Sequence, residues 1–263
     1  MTIWKHTEVD HSQGATQKLA KLFDGKKYFD YPKPVSLIER CLQLYSDKDS
    51  LILDFFSGSA TTAPAVMQLN AEDGGNRKYI MAQLPELTDE KSEAYNAGYK
   101  NICEIGKERI RRAGAKIKEE KPDKAQNLDT GFRVLKLDSS NMKEVFYSPK
   151  DTAQQDLFSL VDNVKDDRTS EDLLFQVMLE LGATLDSKME ESEVDGKTIY
   201  NVADGYLVAC FDQEVSNDVV KAIAKMQPTY AVLRDTSLAD DATATNFEQI
   251  FKTYAPNTTT KIL

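Results

Sequence analysis

The sequence predicts an α/β protein with a mainly parallel sheet, followed by a smaller α/β domain. Three observations carry this. Short apolar runs of strand length alternate with segments whose apolar residues recur at helical spacing. The run Leu51-Ile52-Leu53-Asp54 passes through small residues at Ser57, Gly58, Ser59 and Ala60 straight into a helical segment. A polar stretch with a proline, Lys118 to Asn127, interrupts the pattern and divides the chain into residues 1–125 and 126–263.

In order along the chain, Val35 to Tyr45 carries Val35, Leu37, Ile38, Cys41, Leu42 and Tyr45 at helical spacing behind Pro34, which suits a helix start. Leu51–Phe56 reads as a buried strand and Thr61–Leu69 as the helix after it. Asp73-Gly74-Gly75-Asn76 is a turn, and Lys78–Leu84 a second strand. Lys100–Ala113 reads as a helix with Ile102, Ile105 and Ile110 facing inward. In the second part, Phe132–Leu137 predicts a strand and Glu171–Leu181 a helix capped by Thr169. Lys197–Val202 and Tyr206–Phe211 flank a hairpin turn at Ala203-Asp204-Gly205. Val219–Met226, Tyr230–Leu233 and a helix opening on the capping box Thr245 to Glu248 complete the unit. No loop of convergent catalytic groups stands out there, which predicts a packing or association role.

With 41% apolar residues the 263-residue chain can bury a real core, and no apolar run is long enough to span a bilayer. Met1 to His6 hold no signal-peptide core, which predicts a cytoplasmic protein. Cys41, Cys103 and Cys210 are odd in number and far apart, as structural thiols in a reducing compartment are. His6 and His11 lack further ligands nearby, so no metal site is expected. Residues 1–125 hold 20 basic and 19 acidic side chains, a balance of +1; residues 126–263 hold the other 13 and 24, a balance of −11. So acidic a second half argues against its tracking a phosphate backbone. The basic run Lys100, Lys107, Arg109, Arg111, Arg112, Lys116 and Lys118 reads as a solvated helix face balanced by Glu104, Glu108 and Glu119.

The chemistry sits at Asp54-Phe55-Phe56-Ser57-Gly58-Ser59-Ala60-Thr61-Thr62. An acid ends the strand, Gly58 lets backbone approach a ligand, and Thr61 or Thr62 can cap a helix whose free N–H groups favour a polar or negative group. The loop has no Lys followed by Ser or Thr and no G-x-G-x-x-G, which disfavours a nucleoside triphosphate, nicotinamide or flavin. S-adenosylmethionine, a zwitterionic amino acid joined to adenosine, suits it better.

Upstream lies Phe29-Asp30-Tyr31-Pro32-Lys33-Pro34-Val35, and together these two blocks resemble adjacent motifs of the β-group amino-methyltransferases of DNA. Met67 to Ile80 is similar to the modification subunit of type III restriction–modification systems, and the likeness is read on through Arg109 to Ala113 and to Asn246–Phe251, nearly the whole chain. The resemblance implies a partial Rossmann-like methyltransferase sheet, the first half of a cofactor-binding core, and transfer of a methyl group to adenine N6. It implies that Asp54, Phe55, Phe56, Ser57, Gly58, Ser59, Thr61 and Thr62 wrap the methionine part of S-adenosylmethionine. Asp30 and Lys33 would approach its amino and carboxylate ends, and Gln83 the ribose hydroxyls, where related enzymes usually carry an acid.

Two departures from the family pattern matter. Ala60 stands where the family has glycine, and if the position needs positive φ, alanine costs about 1–2 kcal/mol. The catalytic Asp/Asn/Ser-Pro-Pro-aromatic tetrapeptide is missing: of 8 prolines no two are adjacent. In the β-group order that motif and the target-recognition region precede the cofactor motifs, which here begin close behind Met1. The chain thus reads as the C-terminal portion of a modification methyltransferase, inactive alone, reaching DNA through the absent part. A second copy, a complementing methyltransferase half or a restriction subunit are the expected partners. The alternative is a non-catalytic interaction module that holds such a partner without cofactor.

Overall fold

A computed structural model describes residues 4–143, 163–237 and 241–263. The chain divides into two units, Met1–Phe132 and Arg133–Leu263. The class is α/β in both.

In the first unit, α1 (His6–Val9), α2 (Ser12–Leu22) and α3 (Val35–Tyr45) precede β1 (Leu51–Asp54), α4 (Thr62–Asp73), β2 (Lys78–Met81), α5 (Glu93–Asn96) and α6 (Ile102–Glu120). β1 and β2 pair in parallel, from Leu51 opposite Lys78 to Asp54 opposite Met81. The connecting helix α4 is the heart of this unit. Its Ala63, Met67 and Ala71 pack against Ile110, Ala113 and Ile117 of α6, while Ala65, Val66 and Leu69 pack against Leu42 of α3. Three alanines let helices approach from two sides, so α4 is buried nearly all round rather than along one stripe. Pro64 falls in its first turn, where a missing N–H breaks no helical hydrogen bond. Gly74 ends it at φ +68° and donates to the Asn70 carbonyl.

The strands alternate in exposure. Ile52 and Tyr79 pack inward, whereas Leu51 (61%), Leu53 (63%) and Ile80 (52%) lie open to solvent on the other face. Both strands are shorter than the sequence suggested. β1 ends at Asp54 because Phe55 and Phe56 turn outward, 62% and 77% exposed, and β2 ends at Met81 rather than Leu84. Helix α6 runs to Glu120 instead of Ala113, because Ile117 continues its apolar stripe. The stripe's basic neighbours pair as expected: Lys107 with Glu104, Arg111 and Arg112 with Glu108. Arg109 does not belong to that solvated face; only 4% of it is exposed.

In the second unit, α7 (Ser170–Glu180) is followed by β3 (Met189–Val194), β4 (Lys197–Val202), β5 (Leu207–Cys210), α8 (Asn217–Lys225), β6 (Tyr230–Leu233), α9 (Asp241–Tyr254) and β7 (Thr259–Ile262). The sheet order is β3-β4-β5-β6-β7, antiparallel for the first two pairs and parallel for the last two. Alternate side chains serve two cores. Val208, Cys210, Ala231 and Leu233 meet α8 and α9; Leu207, Ala209 and Val232 meet Leu173, Leu174, Val177 and Met178 of α7.

Several expectations for this unit are corrected. Phe132–Leu137 forms no strand: Val134, Leu135 and Leu137 stay exposed and have no sheet face to join. The strands missed are β3 and β7; in β3 Glu190, Glu191 and Glu193 disguise the strand, and acidic side chains suit an edge that must not recruit another chain. Helix α9 opens at Asp241, so Thr245 lies inside it and not at its cap. Thr169 does cap α7, with Asp172 closing the box.

Candidate cofactor site

The site grows from the carboxyl end of β1. Asp54 ends the strand, and its carboxylate accepts from the Thr62 hydroxyl at 2.5 Å, which ties the strand end to the first residue of α4. The Phe56 N–H reaches the other carboxylate oxygen at 3.4 Å. Between them the loop folds tightly: the Ala60 N–H donates to the Ser57 carbonyl at 2.7 Å, and the Ser57 N–H to the Ala82 carbonyl beyond β2 at 3.1 Å.

Two loop residues adopt left-handed backbone. Gly58 has φ +52° and Ala60 φ +60°. Ala60 therefore holds a conformation that strains an L residue by about 1–2 kcal/mol. Gly58 donates its N–H to the Gln83 side-chain oxygen at 2.6 Å, bridging the ends of the two strands. The Gln83 amide group also donates to the Leu84 carbonyl, so its polar atoms are engaged within the protein.

Three of the predicted residues turn inward. Ser59, Thr61 and Thr62 are buried. Neither threonine caps α4 with its side chain. Instead the Thr61 hydroxyl donates toward the Lys33 carbonyl at 3.4 Å, and Ser59 and Thr61 accept from Arg109. These hydroxyls shape the loop from within, while Phe55 and Phe56 stand exposed and Ser57 and Gly58 are half-buried.

The upstream block is brought to the same place. Besides the Lys33 carbonyl bond, the Phe29 ring comes against Gly58: a Cβ there would lie 3.6 Å from the ring. Asp30 is exposed and paired with Lys27 at 2.6 Å. The Lys33 side chain is exposed.

Arg109 and Gly106 are the residues that sequence reasoning missed. A Cβ at Gly106 would stand 3.3 Å from the Ala60 Cβ, so glycine there admits the loop against α6. One turn on, the Arg109 Nη1 donates to the Ser59 carbonyl (3.2 Å), the Ser59 hydroxyl (2.7 Å) and the Thr61 hydroxyl (2.8 Å). Burial pulls its guanidinium down to about 10. A glycine three residues before an arginine, in a helix otherwise rich in exposed charge, was the available signal. A separate cleft of about 340 Å³, lined by Trp4, Glu8, Val9, Ser36, Glu39, Arg40 and Gln43, contains none of the candidate residues.

A parallel pair joined by a buried helix, with a small-residue loop at the carboxyl end of the first strand, places the first unit in the α/β class. Residues 1–113 match the DNA methylase family of N6/N4 methyltransferases. The resemblance to modification subunits is also shown by individual proteins. The chain is 47% identical over 125 residues to the Mod subunit of the type III restriction-modification enzyme StyLTI of Salmonella typhimurium, a match covering 48% of this chain and 19% of that one. It is 41% identical over 134 residues to the EcoPI Mod subunit of Escherichia phage P1, covering 51% and 20%. With the type II methyltransferase M.KpnI of Klebsiella pneumoniae it shares 38% identity over 104 residues, covering 40% and 24%. The chain thus spans about a fifth of the length of the type III relatives. These matches reach about half of this chain. No helix among the described residues is long and apolar enough to cross a membrane.

Proposed function

We propose that this chain is the cofactor-binding portion of a DNA adenine-N6 methyltransferase of the type III modification kind. Its first unit holds a partial Rossmann-like sheet that takes S-adenosylmethionine at the Asp54–Thr62 loop. The observation that carries this reading is the loop itself: two left-handed residues at the end of a parallel strand, fixed from within by the hydrogen bonds of Thr62 to Asp54 and of Arg109 to Ser59 and Thr61. The residues suit the ligand. Phe55 and Phe56 offer exposed apolar surface to its methionine part, and Lys33 and Asp30 offer opposite charges to the zwitterion. The cofactor supplies a methyl group on sulfonium sulfur. What this chain contributes is binding and orientation of that ligand, with Asp54 and Thr62 fixing the loop.

The bare face of Leu51, Leu53 and Ile80 supports the reading as a portion of an enzyme. Parallel sheets are covered on both faces, and this one is covered on one. A complementing half with the Pro-Pro motif would cover it, read the DNA and deliver a flipped adenine, as base-modifying enzymes must. The second unit serves association, with a second copy or a restriction subunit, and the whole acts in the cytoplasm.

One observation favours the non-catalytic module: the Gln83 amide is committed to Gly58 and Leu84 rather than free for a ribose. Calorimetric titration with S-adenosylmethionine separates the two. Saturable binding below millimolar ligand supports the methyltransferase reading; no heat up to millimolar ligand leaves the module. Under the leading reading, the purified chain transfers no methyl group to DNA by itself, and measured turnover would overturn that part.

A further inference from the structure

The first unit buries two arginines in different ways. Arg77, 7% exposed, is held by the Asp73 carboxylate through both terminal nitrogens, at 3.1 and 2.9 Å. Arg109, 4% exposed, meets neutral acceptors only: the Ser59 carbonyl and the hydroxyls of Ser59 and Thr61. No ion pair among the described residues includes Arg109. A buried cation without a counter-charge is costly, and proteins keep one where something else supplies the charge. Burial alone shifts its ionisation, with no carboxylate drawing it back up.

The position is informative. Arg109 grips the loop from beneath on both flanks of Ala60, the residue whose left-handed backbone is strained. The opposite surface of the same loop is the one assigned above to the amino-acid end of the ligand. We propose that Arg109 is a positioning residue whose absent counter-charge is the carboxylate of the bound ligand. It acts across the Ser59–Thr61 turn, holding Ala60 in shape and placing a buried positive charge behind the carboxylate. In so dry a setting a charge is weakly screened and acts through a turn of backbone.

This rests on the S-adenosylmethionine reading, and the test keeps the two apart. The full chain, with Arg109→Met and Arg109→Lys variants, is titrated calorimetrically with two ligands. S-adenosylhomocysteine bears the amino-acid carboxylate; 5′-methylthioadenosine lacks the amino-acid end. The expected result is that Arg109→Met weakens S-adenosylhomocysteine by on the order of tenfold or more while leaving methylthioadenosine within about twofold. Arg109→Lys, which keeps the charge, recovers part of the loss. Equal weakening of both ligands, or no change in either, overturns the inference and leaves the cofactor site standing. If the unsubstituted chain binds neither ligand, the cofactor reading fails and the inference with it. Should Arg109→Met not fold, the lysine variant still decides: a loss as large for methylthioadenosine as for S-adenosylhomocysteine overturns the charge role.

Discussion

Thr62 donates its hydroxyl hydrogen to the Asp54 carboxylate at 2.5 Å, so the first residue of α4 is fastened to the last residue of β1. The bond closes the loop at its base, with Thr62 buried and Asp54 half-buried. Replacing Thr62 by valine keeps the shape and removes the donor. The expected loss is about 1–2 kcal/mol of unfolding free energy in urea, with weaker S-adenosylmethionine binding, and Thr62→Ser restoring most of both. An unchanged urea midpoint in Thr62→Val would show that the bond contributes nothing.

Ala60 at φ +60° stores strain that glycine would release. Glycine also loses more freedom on folding, which offsets part of the gain. Ala60→Gly is therefore expected to stabilise the first unit by up to about 1 kcal/mol. Ala60→Val, β-branched at the same angle, is expected to destabilise it by more. A valine variant as stable as the parent would mean the loop relaxes out of the left-handed region.

Tyr79 packs its ring under α3 and α4, and its buried hydroxyl has no hydrogen-bond partner among the described residues. Burial, with Asp129 nearby, pushes its ionisation up to about 12. An unfolded tyrosine ionises near 10, so the unfolded chain gives up its proton first. Stability is therefore intact below about pH 10 and falls as pH rises toward 12. Tyr79→Phe removes an unsatisfied group; it should match or exceed the parent's stability at pH 8, by up to about 1 kcal/mol, and show a shallower alkaline decline. Urea titrations between neutral and alkaline pH check this, and an identical alkaline slope in both proteins would refute it.

Leu53 stands opposite Ile80 on the bare face of the two-stranded sheet. Because both are already more than half exposed, Leu53→Lys and Ile80→Lys should change unfolding free energy by no more than about 0.5 kcal/mol. The same variants should abolish the methyltransferase activity regained when a catalytic half is supplied in trans. Undiminished complementation by both would show that this face is not where the other half docks.

Much of the site was legible because its signals are local. Val35–Tyr45 was read as a helix and is one with those bounds, since its apolar spacing and Pro34 act within a few residues. The loop after β1 was recognisable from Asp54 and Gly58, whose roles, ending a strand and turning backbone, need no distant partner. Arg109 was not. Its sequence neighbours are charged and exposed, and only the approach of α6 to the loop, admitted by Gly106, turns one arginine of that run inward. The strand read at Phe132–Leu137 failed for the converse reason: β-prone residues without a pairing edge stay irregular.

By itself, then, the sequence determined the α/β class, the order of most elements, the loop that follows the first strand and the absence of adjacent prolines. Each depends on residue type and near-neighbour spacing. Only the tertiary structure decided that Ser59, Thr61 and Thr62 face inward, that Gln83 bridges to Gly58, that Ala60 is left-handed, and that one sheet face is bare. Those depend on which surfaces are brought together by packing α4 between α3 and α6, and no local pattern encodes the distances at which helices meet.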